Sequence, residues 1–546
     1  MIRYAITALL LFFFTTGKQK ADLLVHNAVI YTVDGNFTTA TAMVVRNGKI
    51  LETGSKETLE AKYNCAETMD AAGKYIYPGF IDAHAHFLGY GQSLNKIDFT
   101  GTQSWEACME RIRQFIETKK PAKGSWITGR GWDQNDWPAK EFPDNSALNT
   151  LYPDYYFYLT RIDGHAALAS ANALAVAGIQ PNQQIPGGTA ETKAGVLTGI
   201  LVDNAGDWVS DKIPPLSKNE TRAALQQAEK NCFAVGLTTI DDCGLTYSDV
   251  ELVEQMHREG ALKMKLYIML SDGEKNFRYL LKRGAIRTDR LTVNGFKLYA
   301  DGALGSRGAC LLHPYSDKPE QTGFLLSNAA HFDSAARLLY QHNFQMCTHA
   351  IGDSGNRVIL NTYGRYLKKK NDRRWRIEHA QVVDPADFAG FKKYSIIPSV
   401  QPTHATSDMY WAADRLGATR VKTAYAYKQL LNQNGWIPLG TDFPVEDISP
   451  LKTFYAAAIR KDAAGWPGKG FQPENALTRK ETLQGMTIWA AKSNFEETEK
   501  GSLEKGKFAD FIIMDTDLMK CSPEKILKAK VLATYVNGER VYATTF

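Results

Sequence analysis

Four short apolar segments of this chain each end on residues that bind metals. They are Gly79-Phe80-Ile81-Asp82-Ala83-His84-Ala85-His86, Gln345-Met346-Cys347-Thr348-His349, Trp375-Arg376-Ile377-Glu378-His379 and Leu439-Gly440-Thr441-Asp442. Side chains two apart on a strand share a face, so His84 and His86 can aim both imidazoles into one cavity. His349, His379 and Asp442 can join them if the strands that carry them close into a barrel. Imidazole nitrogen and carboxylate oxygen are donors that zinc favours, and a catalytic zinc keeps one position open for water. An ion held this way acidifies bound water and polarises a carbonyl, which is the chemistry of metal-assisted hydrolysis. A lone His-x-His is weak evidence, because two histidines on a strand often only satisfy local hydrogen bonds. Four such ends in one chain point to one shared site.

Those ends need parallel strands to bring them together. Eight apolar strand candidates alternate with helical segments and end near His86, Asp242, Leu270, Ala300, His349, His379, Val400 and Asp442. That alternation predicts an α/β fold, a (β/α)8 TIM-type barrel over residues 79–484. Helices are expected over Lys218 to Phe233, behind the cap-like Ser217, and over Asp333 to His342. Residues from about 98 to 212 are too many for one strand-to-helix connection. They hold a helix-like Trp105 to Lys119, an aromatic loop from Gly129 to Pro138, and the stretch Tyr155 to Asp163 that ends in Gly164-His165. Loops that follow barrel strands build the catalytic face, so this insertion after the first barrel strand is expected to act as a lid. Both chain ends read as short strands around Asp34-Gly35, Asn47-Gly48 and Asn537-Gly538. They predict a small composite β-sandwich domain built from residues 21–78 and 485–546.

The chain has 546 residues, 44% hydrophobic and 23% charged, as in an ordinary large globular protein. Its 64 basic and 59 acidic residues leave a net charge of +5, which gives no nucleic-acid footprint. The basic run Lys368-Lys369-Lys370 reads as a solvated helix end. Residues 1–20 combine Arg3 with an apolar stretch from Ala5 to Phe14. That stretch is shorter than the roughly 20 residues of a membrane-spanning helix and suits a secretory signal. Export to the periplasm or the membrane surface is therefore expected, with an uncleaved hydrophobic anchor as the alternative. The seven cysteines show no C-x-x-C spacing and read as core residues. Cys347 shares a strand face with His349 and could border the site, although core packing is preferred.

Taken with Gly131-Trp132-Asp133, Arg161-Ile162-Asp163-Gly164-His165, Lys297-Leu298-Tyr299-Ala300-Asp301-Gly302, His349-Ala350-Ile351-Gly352-Asp353 and Gly440-Thr441-Asp442-Phe443-Pro444, these segments resemble the amidohydrolase superfamily. Within it the chain looks like the branch that includes N-substituted formamide deformylases. The resemblance implies one or two divalent ions at the barrel mouth, zinc foremost. His84 and His86 would bind the more buried ion, His349 and His379 the other, and Asp442 would be both ligand and catalytic base. Lys297 lies where many members carry a lysine carbamate bridging two ions. A carbamate would turn a cation into an anionic two-oxygen ligand, and it needs an amine deprotonated by its surroundings. The competing reading is a plain lysine paired with Asp301, beside a single ion.

His165 is expected to reach over the barrel and orient the substrate or hold its carbonyl in catalysis, against a purely structural role. Trp132, Asp133 and Arg161 are expected on the pocket wall as substrate-binding residues, since aromatic groups with a few placed polar ones typify ligand sites. His26, His257, His313, His331, His342 and His404 stand in no such context and are assigned no role. The function these residues imply is an exported metal-dependent hydrolase that cleaves a non-peptide carbon–nitrogen bond in a small-molecule amide. Rivals on the same site are a cyclic-amide, dipeptide or ester hydrolase. A non-catalytic metal or solute binder is disfavoured, because it has no need of a base at Asp442. Membrane association through the N-terminus and a homo-oligomer stay open.

Overall fold

The computed structural model describes residues 17–544 except Asn95 and Pro215. The apolar run from Ala5 to Phe14, and with it the reading of an export signal, lies outside the described residues. Seven central strands lie side by side and parallel, in the order Phe80–Ala85, Leu237–Leu245, Lys265–Ser271, Leu291–Tyr299, Gln345–Ala350, Arg376–His379 and Ile397–Ser399. Nearly every residue in them is buried, because a parallel strand with helices outside and a filled barrel inside has no wet face.

The eighth position is taken by residues 438–442, which are too irregular to count as a strand yet close the ring. Val400 forms a parallel bridge with Leu439, and Gly440 N donates to Val400 O at 3.0 Å. On the other side Ala83 N donates to Leu439 O at 3.2 Å and Asp442 N to His84 O at 2.7 Å. A Cβ on Gly440 would lie 2.5 Å from His84 N, so only glycine permits this closure. Asp82 pins the same seam. Its carboxylate accepts from Thr441 N at 3.0 Å, Thr441 Oγ1 at 2.7 Å and His84 N at 3.2 Å.

The insertion builds a sheet of its own, in the order Gly188–Lys193, Val196–Asp203, Ala166–Ala169, Tyr156–Arg161, Trp126–Trp132 and Ile97–Asp98. Helix Trp105–Lys119, capped by Ser104, packs on one face through Cys108 and Ile112. The two chain ends share a third sheet, in which Gln19–Tyr31 runs parallel to Tyr63–Pro78, and Tyr63–Pro78 pairs antiparallel with Phe511–Met514. Val25, Ile30, Ile76, Phe511 and Ile513 form its core. Among the described residues no helix is long and apolar enough to cross a membrane.

Candidate metal centre

The barrel delivers its polar side chains to one end. His84 stands near the end of the first strand, His349 on the fifth, His379 closes the sixth, and Asp442 follows Gly440-Thr441 at the seam. His379 and Asp442 both hold left-handed backbone, with φ of 73° and 64°. For non-glycine residues that costs on the order of 1–3 kcal/mol each and persists where surrounding structure enforces it, often at functional sites.

Donor atoms of His84, His379 and Asp442 all lie within 4.8 Å of one another, and all three residues are buried. His84 Nδ1 sits 2.6 Å from Glu378 Oε2, which leaves Nε2 directed at Asp442 Oδ1, 3.6 Å away. A carboxylate on the far nitrogen fixes the tautomer of a ligating histidine. Burial, and then the neighbouring Lys297, push His84 down to about 4, and burial first holds His349 and His379 well below the usual histidine range. Neutral imidazole is the form that binds metal. Burial alone would raise Asp442, but hydrogen bonds from His404 and His86 outweigh it and keep the carboxylate ionised. His379 Nδ1 is buried without a hydrogen-bond partner, the state expected of a nitrogen reserved for an ion. The donor set therefore fits a divalent cation.

Two more histidines flank this group. His86 Nε2 is 3.1 Å from Asp442 Oδ1, and the His349 ring centroid is 4.6 Å from that of His379. Lys297 reaches to 3.0 Å from His84 Nε2. It does not pair with Asp301, whose carboxylate instead accepts from the amides of Cys310, Ile351 and Gly352 at 2.8–2.9 Å. Cys347 is buried under the site with Cys243, Tyr267 and Met269, as a core residue.

Above the centre lies a cavity of about 1360 Å³, walled by the barrel end and the insertion. His165 enters from the insertion, its ring centroid 5.4 Å from that of His349 and its Nδ1 2.7 Å from Asp203 Oδ1. Arg161 and Asp133 line the cavity and pair with each other, while Arg161 Nη1 also donates to Asp163 at 2.6 Å. Trp132 corrects the expectation. It is fully buried on the other face of the insertion, packed on Trp137 and Phe142, with Nε1 donating to Leu159 O at 2.8 Å. The strand Trp126–Trp132 twists at Gly131 (φ 105°), so its last residue turns into the core rather than towards the substrate.

Two residues of the centre carry no clear signal in the sequence. Glu378 stands beside His379, and only the fold shows that it meets His84. His404 lies in no motif, yet its Nε2 lies 3.3 Å from Asp442 Oδ2 and its Nδ1 3.1 Å from Glu446 Oε1. Its one sequence signal is position. It falls on helix Pro402–Ser407, directly after the seventh strand, where a barrel builds its catalytic face.

The chain is similar to known proteins along most of its length. A family model described as "Amidohydrolase family" matches residues 67–542. The chain is 32% identical to Protein LONG AFTER FAR-RED 3 of Arabidopsis thaliana, over 96% of this chain and 92% of that protein. It is 26% identical to the N-substituted formamide deformylase of Arthrobacter pascens, over 96% of this chain and 99% of that one. Among solved structures, an uncharacterized metal-dependent hydrolase from Pyrococcus horikoshii superposes with a TM-score of 0.75 at 26% identity, covering 92% of this chain and 99% of the other.

Proposed function

The chain belongs to the amidohydrolase family, metal-dependent hydrolases of carbon–nitrogen bonds, and we propose that it cleaves a linear, non-peptide amide at the barrel mouth and, from the apolar run Ala5 to Phe14, that it is exported. The observation that carries the proposal is the convergence of His84, His379 and Asp442 on the floor of a cavity roofed by the insertion. Those three residues would hold a divalent ion, zinc by their donor chemistry, with His86 and His349 beside a second position. When bound, the metal supplies an acidified water and a polarised carbonyl.

The chain's own groups do the rest. Asp442 takes the proton of the attacking water and returns it to the leaving nitrogen, base and acid in turn. His404, braced by Glu446, fixes the direction of the Asp442 carboxylate, and Glu378 fixes His84. His165, oriented by Asp203, meets the substrate carbonyl from the lid side. The cavity exceeds the roughly 300–1,000 Å³ of typical small-ligand pockets, which favours an amide with a bulky substituent over a small one.

Lys297 would serve as an anionic ligand if it formed a carbamate. Burial pulls its amine down, while Cys243, Tyr299, Glu378 and Asp442 push it up, and the balance lies above the ordinary lysine range, which opposes the deprotonation that a carbamate needs. As a cation it would repel a metal at His84, so an ion held there is what would favour the carbamate over the ammonium. Lys297→Ala should lose metal and activity, and a short carboxylic acid added with metal should restore part of the rate. Full metal content and rate in the variant would end the ligand role. The substrate reading is tested by assaying metal-loaded enzyme on N-substituted formamides, cyclic amides, dipeptides and esters. Turnover confined to the last three would replace it. Fractionation of cells making the full chain tests export, and retention in the cytoplasm would contradict it.

A further inference from the structure

Outside the metal centre, two cations of the cavity wall, Arg130 and Lys96, have no carboxylate partner among the described residues. Arg130 lies on the insertion strand Trp126–Trp132, on the face opposite the buried Trp132 core, and lines the cavity. Among the described residues it makes no ion pair. Its only side-chain hydrogen bond there is from Nη2 to Ile162 O at 2.8 Å, and its Nε is buried with no partner. The other arginine of the cavity, Arg161, is by contrast saturated by Asp133, Asp163 and Gln134.

The surroundings place this guanidinium with care. It lies across the turn at Gly164, where φ is 78° and a Cβ would come within 3.3 Å of Nη1, so glycine there keeps the space that the guanidinium occupies. The carboxylates whose charge reaches it are Asp442 and Asp163, and both are already engaged, Asp442 by histidines and Asp163 by Arg161 and His165 N. Burial lowers Arg130 below the ordinary arginine range. Lys96, another cation without an ion pair among the described residues, lines the same cavity. Two unpaired cations in one cavity repel each other, and an anion between them would relieve both.

Resting on the linear-amide reading, we propose that Arg130, assisted by Lys96, forms a subsite for a carboxylate on the substrate, so that the preferred amides are acylated amino acids rather than acylated amines. A guanidinium fork matches a planar carboxylate with two parallel hydrogen bonds, and at Arg130 Nη1 is free of partners among the described residues while Nη2 spends only one of its two hydrogens on Ile162 O, so the end-on pair can meet a carboxylate.

The test uses metal-loaded full-length enzyme and two compounds that differ only in the carboxylate, N-formyl-leucine and N-(3-methylbutyl)formamide. Binding is read by calorimetry and turnover by amine release. Wild-type enzyme should prefer the carboxylated compound in affinity and in kcat/KM. Arg130→Met should reduce that preference by about 10-fold or more, the scale of a lost hydrogen bond to a charged group, with the change in KM rather than kcat. Arg130→Lys, which keeps charge without the fork, should lie between and guards against a folding defect in the first variant. Equal binding of the two compounds by wild type, no binding of N-formyl-leucine, or an unchanged preference in both variants would overturn the subsite. Carboxylate-dependent binding without turnover of either compound would leave the subsite standing and overturn the linear-amide reading instead.

Discussion

Asp442 carries more of the chemistry than any other side chain, since it lies within 3.6 Å of His84, His86 and His404 and is the single carboxylate among the three converging donors. Asp442→Asn keeps the shape but cannot accept a proton, so kcat should fall about 10²-fold or more while the fold persists. Metal content must be measured with the rate, because the carboxylate is also a donor, and normal turnover in a metal-replete variant would refute the assigned mechanism. The histidines of the strand ends were legible in the sequence because each stops an apolar run at a position that a barrel gathers. His404 was not, since it belongs to a six-residue helix and depends on Glu446, 42 positions away, for its orientation. Trp132 misled for the opposite reason. A tryptophan beside Asp133 in a glycine-bounded loop resembles a pocket wall, and only the pairing of its strand shows which way it faces.

At the scale of elements, the eight strand ends and the helices after Ser217 and near Asp333 follow from apolar periodicity and capping. Helix Lys218–Ala234 has its capping box at Ser217 and Glu220. The six-stranded sheet of the insertion was not legible, because its short strands are separated by loops and no strong apolar alternation marks them, although all but Val196–Asp203 beside Ala166–Ala169 pair in sequence order. The barrel seam was legible only as a motif. Asp82→Ala would strip the acceptor from Thr441 N, Thr441 Oγ1 and His84 N, and should cost about 2–4 kcal/mol, measured as a shift in urea midpoint. No loss of stability would show that the seam does not depend on it. His257, near the end of helix Tyr247–Arg258, has its Nε2 3.0 Å from Met264 O, and burial pushes it from 6.5 down to about 4. Between those values the unfolded chain binds a proton that the folded one does not, so stability should fall as pH drops from about 6.5 towards 4. His257→Gln should flatten that part of the acid limb, and thermal midpoints of both proteins across this range would show whether it does.

For the whole molecule, three sheets divide the labour. The barrel gathers the donors, the insertion roofs them with His165, Arg161 and Arg130, and the sheet shared by both chain ends buttresses the barrel through Lys265, whose ammonium meets Asp510 at 2.5 Å in a buried pair. That the two ends would meet was readable from their matching turn-and-strand style. That residues 63–78 form one long strand at the centre of their sheet was not, because its exposed half reads as polar loop. The claim on which the function rests is that this fold gathers His84, His379 and Asp442 to hold a catalytic metal. Anomalous diffraction from crystals of zinc-loaded protein tests it most directly. An ion within about 2.0–2.2 Å of a nitrogen of His84, a nitrogen of His379 and an oxygen of Asp442 is the expected result. Zinc-loaded crystals with no anomalous density among these three residues, or with the ion bound only elsewhere, would contradict it.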